Sequence, residues 1–245
     1  MDKKDIEKII EDIKNKTTRC VVGLSGGLDS TTLTYLLVKA LGSENVIAIS
    51  FDYNQRHDIE LVKAKNTANK LGIKHIILDL SWLGDIVKNV SAMVKGDVKT
   101  PDMEDILGDP QPVTYVPYRN QILLSIIASI AESNNCDGIA LGVQEIDSYS
   151  YWDTTINFIN DFQKLISNNR KHNCNVITPF VSLTKSDEII IGNYLGINYN
   201  DTWTCYNPIS LNNETIACGI CPSCSERLQA FKKVGIVDPI KYNKG

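Results

Sequence analysis

One junction limits the folds open to this chain. Residues 19–24, R-C-V-V-G-L, form a short apolar run with β-branched residues, and it meets Ser25-Gly26-Gly27 directly. A helix is predicted over residues 30–41, ended by Gly42. A buried strand that turns on glycines into a helix is the opening unit of a parallel sheet.

The rhythm continues downstream. Residues 46–51 read as a strand, 58–71 as a helix closed by Gly72, and 75–80 as a third strand. Residues 119–134 read as a helix, 138–143 as a fourth strand and 176–178 as a fifth. A last helix is predicted over 184–195, with Thr184 as N-cap. Ahead of the first strand, Ile6, Ile9, Ile10 and Ile13 share one helix face over residues 5–15. Strands alternating with helices imply an α/β fold, a Rossmann-like parallel sheet with right-handed crossovers and helices on its flanks. Residues 82–116, with Pro101, Pro110 and Pro112, interrupt the rhythm. That stretch is too long for a connector and reads either as a lid or binding loop or as a surface excursion. The expected organisation is an α/β domain over residues 1–200 and a small cysteine-rich module over 201–245 packed on it.

The composition suits a globular domain: 43% of residues are hydrophobic and 22% charged. A net charge of −4 argues against a basic nucleic-acid clamp. No apolar run approaches the roughly 20 residues of a membrane helix. The opening Met-Asp-Lys-Lys-Asp lacks the apolar core of a signal peptide, so cytoplasmic residence is expected.

The strongest chemical signal is Ser25-Gly26-Gly27-Leu28-Asp29-Ser30. Two glycines let backbone approach an anion closely, and the helix start behind them aims N–H groups and a positive dipole end at it. Ser25, Ser30 and Thr31 add hydroxyls. Asp29 would repel a phosphate unless it holds a magnesium ion bridging a pyrophosphate. A tight turn with no ligand is the plainer alternative. The loop lacks the lysine of a Walker motif and the third glycine of a dinucleotide fingerprint.

Cys205, Cys218, Cys221 and Cys224 form a C-x12-C-x2-C-x2-C pattern. Thiolates at that spacing can wrap one metal on a knuckle, with Gly219 at its turn. Four sulfurs suit a structural zinc ion, and an iron–sulfur cluster is the other four-cysteine solution. Cys20, Cys136 and Cys174 read as ordinary thiols. A helix is predicted over 225–233.

Taken together, these motifs resemble the 7-cyano-7-deazaguanine synthases, a family of PP-loop ATP pyrophosphatases (adenine nucleotide alpha hydrolase-like). The likeness spans residues 21–242. It rests on the loop and on Phe51-Asp52-Tyr53-Asn54-Gln55-Arg56-His57, Val116-Pro117-Tyr118-Arg119-Asn120, Leu183-Thr184-Lys185 and Thr202-Trp203-Thr204-Cys205-Tyr206. The cysteine knuckle and Asp238-Pro239-Ile240 with Tyr242 complete it. The resemblance implies an ATP-dependent carbon–nitrogen ligase of queuosine or related biosynthesis. It would convert 7-carboxy-7-deazaguanine and ammonia to the nitrile through adenylated carboxylate and amide. It also implies Mg2+, structural Zn2+, a homodimer, and neither nucleic-acid nor membrane partners.

Roles follow residue by residue. Ser25, Gly26, Gly27, Leu28, Asp29, Ser30, Thr31 and Phe51 are the expected ATP site. Lys185 and Arg119 are candidates to offset negative charge. Arg56 and His57 are candidates for anion binding or proton transfer, with a hydrogen-bonded structural histidine as the alternative for His57. Tyr53, Gln55 and Asn120 have polar tips suited to a base edge or ribose. Glu145, Asp147, Tyr151 and Asp153 follow the fourth strand, where open sheets bind ligands; a solvated loop is the alternative for the acids.

One segment departs from the family. Where it commonly reads S-G-Y-P-D-C-R, this chain reads Tyr149-Ser150-Tyr151-Trp152-Asp153-Thr154-Thr155, and Tyr118 replaces a glycine. The acceptor wall differs while the nucleotide loop matches. Three other readings therefore stand beside the synthase: a paralogue that stops at the amide or joins another amine; a zinc-bearing nucleic-acid module; and a different PP-loop enzyme such as a tRNA thiolase or amide-forming synthetase.

Overall fold

The computed structural model describes residues 1–106, 108–109, 111–144, 151–211 and 214–243. Its centre is a parallel sheet in the order β3-β2-β1-β4-β5, formed by β1 (Cys20–Gly23), β2 (Val46–Asp52), β3 (Lys74–Asp79), β4 (Gly138–Ala140) and β5 (Asn175–Ile177). β1 pairs with β2 from Cys20↔Val46 to Gly23↔Ile49, and with β4 from Cys20↔Gly138 to Val22↔Ala140. β1 is buried along its length because helices cover both faces, which accounts for its unbroken apolar run.

One face buries Val21 and Ile49 against Leu124 and Ile127 of α6 (Arg119–Ser133). Phe162 of α7 (Ile156–Ile166) closes that layer. The other face buries Cys20, Val22 and Ala48 under α1 (Lys3–Lys16), α2 (Leu28–Leu41) and α8 (Lys185–Tyr194). The predicted stripe of α1 holds, with Ile6, Ile10 and Ile13 buried and Asp2 closing a capping box with Asp5. Thr184 caps α8 through the Asp187 N–H.

Several boundaries move. The helix after the glycines starts at Leu28, two residues early, because Gly27 is its N-cap. β4 ends at Ala140 where its pairing with β1 ends. The irregular stretch holds α4 (Ser81–Val87) and α5 (Met103–Ile106). Neither α7 nor the hairpin of β6 (Ile209–Leu211) and β7 (Glu214–Ile216) is predicted above. α9 (Pro222–Val234) begins at Pro222, which suits the first turn of a helix.

α3 (Ile59–Leu71) crosses from β2 to β3. Beyond residue 201, α9 lays Ala230 and Phe231 against Leu28, Ile189 and Tyr199. Among the described residues, no helix is long and apolar enough to cross a membrane.

Candidate active site

The strand order reverses direction at β1, and there the C-terminal ends of β1, β2 and β4 open into a cleft of ≈ 270 Å³. The glycine loop forms its floor. Gly26 has φ +87°, and a Cβ on it would lie 2.1 Å from the Glu60 carbonyl oxygen of α3. Only glycine permits that packing. The loop is knitted by hydroxyls: Ser30 Oγ accepts the Ser25 N–H at 3.1 Å and lies 2.9 Å from Ser25 Oγ, which accepts the Gly27 N–H at 3.2 Å. The Gly26 carbonyl accepts the Trp203 N–H at 2.9 Å, tying residues 202–206 to the loop. The first-turn amides of α2 have no partner within the helix and face the same end.

Ser25, Gly27, Asp29, Ser30 and Phe51 line the cleft. The Leu28 side chain does not reach it; it is packed under α9 with Ile189 and Phe231, which leaves only its backbone for a ligand. Thr31 is buried, and its hydroxyl has no partner among the described residues.

Lys185 is the first residue of α8 and is 7% exposed. Its Nζ lies 3.5 Å from Asp29 Oδ2 and 2.6 Å from Glu226 Oε2 of α9. Asp29 Oδ1 is buried with no partner among the described residues. Glu226 Oε1 accepts the Gln144 Nε2–H at 2.9 Å.

The opposite wall carries Tyr53, Glu60, Arg119, Asn120 and Tyr151. The Arg119 guanidinium lies close enough to the Tyr53 hydroxyl for each to act on the other's titration. Burial alone would lower the Arg119 pKa, but Tyr53, Asp153, Tyr151 and Tyr206 around it raise it further, so it is a fixed cation. Burial pushes Glu60 up to about 7, with Arg119 opposing. Burial likewise raises the Tyr53 hydroxyl and the Asp153 carboxyl above their usual ranges.

Other candidates are engaged by the protein itself. Gln55 Oε1 accepts the Tyr53 N–H at 3.0 Å and its Nε2 donates to the Phe51 carbonyl at 3.3 Å, which folds the turn after β2. Arg56 donates to the Ala92 carbonyl at 2.6 Å and to the Val98 carbonyl, pinning the irregular stretch beside the cleft. His57 Nε2 lies 3.1 Å from the Tyr206 carbonyl; burial lowers its pKa, so a neutral ring donating that bond fits. Asp153 is buried and accepts the Asn120 N–H at 3.2 Å, while Asn120 Nδ2 donates to the Asp153 carbonyl at 3.3 Å. This pair caps α6. Tyr151 reaches Thr114 Oγ1 at 2.7 Å. Glu145 and Asp147 lie outside the described residues.

Two departures from the family pattern meet. Tyr118, in the left-handed region at φ 54°, packs edge-on against Trp152 at 5.5 Å between ring centroids. Trp152 Nε1 donates to Tyr115 Oη at 2.7 Å, and the Tyr115 ring stacks with Tyr151. Trp152 and Tyr118, the two departing positions, therefore join Tyr115 and Tyr151 in one aromatic wall.

Cys205, Cys218, Cys221 and Cys224 converge, buried, with all four sulfurs within 4.8 Å of one another. The Cys218 N–H points at Cys205 Sγ at 3.2 Å and the Cys221 N–H at Cys218 Sγ at 3.3 Å. Hydrogen bonds from Cys205 and Cys224 pull the Cys221 thiol well below its usual range. Such a cluster can hold a metal ion.

Glu60 and Glu226 are absent from the sequence reading. An acid in the first turn of a helix reads as a dipole partner, and one on an amphipathic helix as a solvated face.

The comparisons agree with this geometry. An NH3-dependent NAD synthetase from Campylobacter jejuni aligns over 82% of this chain and 76% of its own, with TM-score 0.52 and 20% identity. This likeness concerns the fold alone, a parallel sheet with helices on both faces. A 7-cyano-7-deazaguanine synthase of Clostridium kluyveri is 43% identical over 91% of this chain and 97% of that protein. One from Methanospirillum hungatei is 40% identical over 91% of this chain and 99% of that protein. The model of the family described as queuosine biosynthesis protein QueC matches residues 19–235, and the chain belongs to that family.

Proposed function

We propose that this chain makes 7-cyano-7-deazaguanine from 7-carboxy-7-deazaguanine, ammonia and ATP. The observation that carries the reading is the match of nearly the whole chain to synthases of that name, together with a glycine loop opening into the cleft at the switch point.

A carboxylate resists ammonia because its oxygen leaves poorly. Attack of a carboxylate oxygen on the α-phosphorus of ATP releases pyrophosphate and gives an acyl adenylate. Ammonia adds to the carbonyl carbon and AMP departs, leaving the amide. A second ATP adenylates the amide oxygen; loss of AMP and the nitrogen's protons then forms the nitrile.

The chain's part is positioning and charge. Ser25, Gly27 and Ser30 with the first-turn amides of α2 bind the pyrophosphate end. Lys185 offsets its charge from one side and Arg119 stands at the acceptor side. Tyr53 and Tyr151 border the deazaguanine. Glu60, poised near neutrality, is placed to take a proton from an incoming ammonium ion. The aromatic wall of Tyr118 and Trp152 gives the acceptor pocket its own shape.

Mg2+ fits Asp29, which lines the cleft and whose hard Oδ1 has no partner among the described residues, and would neutralise the triphosphate when bound. Zn2+ fits the four thiols. A tetrahedron of ~2.3 Å zinc–sulfur bonds sets sulfurs about 3.8 Å apart, and Cys205–Cys218 and Cys218–Cys224 lie at 3.6 and 3.9 Å. With no ligand position left open, that ion would be structural, bracing residues 201–245 as a module on the sheet domain.

The test is product mass. Purified protein given the carboxy compound, ATP, Mg2+ and ammonia is expected to yield nitrile and AMP. Amide alone supports a paralogue that stops early, a reading the altered segment around Trp152 favours. No turnover with tight salt-sensitive RNA binding contradicts both.

A further inference from the structure

Lys185 occupies an unfavourable place for a cation. It is the first residue of α8, at the positive end of the helix dipole, and it is nearly buried. Something must hold the charge there. The closer partner is Glu226, at 2.6 Å, against 3.5 Å for Asp29. Glu226 grips with one oxygen and uses the other on Gln144, just beyond β4. Its carboxylate thus bridges α8 to the end of the central sheet.

The backbone beneath Glu226 is fixed on both sides. Cys224, two residues before, sits in the four-thiol cluster. Arg227, the next residue, is fully buried and donates to Asp238, Thr202 and the Tyr199 carbonyl. Helix α9 therefore cannot slide, and Glu226 reaches the cleft from a rigid mount.

We propose that Glu226 is a positioning residue for Lys185. It holds the ammonium group at the mouth of the glycine loop before nucleotide arrives. It keeps it there once Asp29, whose Oδ1 has no partner among the described residues, turns to the cation of the nucleotide. Without Glu226, Lys185 would collapse onto Asp29, and the two groups that should meet the nucleotide would neutralise each other. The inference rests on the nucleotide reading of the loop given above.

The test is a double-mutant cycle on the full chain, read by calorimetric MgATP binding and by KM for ATP against kcat. A hydrogen bond between charged groups is worth enough that Glu226→Ala should weaken MgATP binding about 10-fold to 100-fold, with KM for ATP rising alongside. Glu226→Gln, which keeps the volume and an acceptor for Lys185, should fall between parent and alanine variant. In a Lys185→Ala background, Glu226→Ala should add less than about 2-fold, because its effect passes through the lysine. Equal binding by parent and Glu226→Ala overturns the proposal, as do effects that multiply in the double variant or a glutamine variant no better than alanine. A parent chain that does not bind MgATP at all overturns the nucleotide reading first, and this inference with it.

Discussion

Replacing Arg227 with methionine tests how the C-terminal helix is anchored. Arg227 is 0% exposed. Its Nε and Nη2 meet the two carboxylate oxygens of Asp238 at 2.7 and 3.0 Å, a bidentate fork. Nη1 reaches Thr202 Oγ1 at 2.8 Å, Nη2 reaches the Tyr199 carbonyl at 3.0 Å, and the guanidinium lies 5.4 Å from the centroid of the Phe231 ring. Methionine keeps much of the volume but none of the donors. Among the described residues Asp238 would keep the Tyr242 hydroxyl and the Ile240 N–H as donors, which leaves a buried carboxylate without its countercharge. Removing one partner of such a pair costs about 3–5 kcal/mol. A chain of 245 residues unfolds with an entropy of about 0.5 kcal/mol/K. The expected fall in Tm is therefore about 6–10 °C by scanning calorimetry. Asp238→Leu alone should cost as much, and the double variant should recover part of the loss. A fall under about 2 °C, or strictly additive losses, would show that the fork is not what fixes α9.

Three further expectations concern the cleft and the knuckle. Asp29→Asn should lower kcat/KM on the order of 100-fold with little change in Tm, measured as AMP release under saturating acceptor. Cys218→Ser should lose bound metal by elemental analysis and lower Tm, and a strong chelator should do the same to the parent chain. Glu60, with its folded pKa raised from 4.5 to about 7, binds more protons folded than unfolded between those values, so its contribution to stability falls as pH rises through that window. Glu60→Gln should therefore be more stable than the parent at pH 8, by roughly 3 kcal/mol in urea titrations, and level with it near pH 4. Parallel stability curves for the two proteins would contradict the raised pKa.

The fold is most legible in the sequence where local sterics leave few choices. Gly26 must be glycine because α3 passes over it, and Gly42 and Gly72 end helices at positive φ. Buried strands announce themselves as apolar runs between such turns. The helix Ile156–Ile166 was legible in principle, since Ile159 and Phe162 lie on its buried face, but it follows the segment that departs from the family and offers no motif. The hairpin of β6 and β7 has three residues per strand, too few to show a period. Glu226 and Glu60 were not legible, because an acid on a helix looks the same whether it meets water or a buried lysine. Only the packing of α9 on α8 decides that. The same limit applied to Gln55 and Asp153, whose polar tips suit a ligand in sequence and in the structure bond the turn after β2 and the start of α6.

The chemistry itself is tested most directly by following oxygen. With both carboxylate oxygens of 7-carboxy-7-deazaguanine labelled as oxygen-18, adenylation of the acid and then of the amide should carry one labelled atom into each of two AMP molecules per nitrile formed. Label in inorganic phosphate, or labelled oxygen left in water with unlabelled AMP, would contradict activation by AMP transfer.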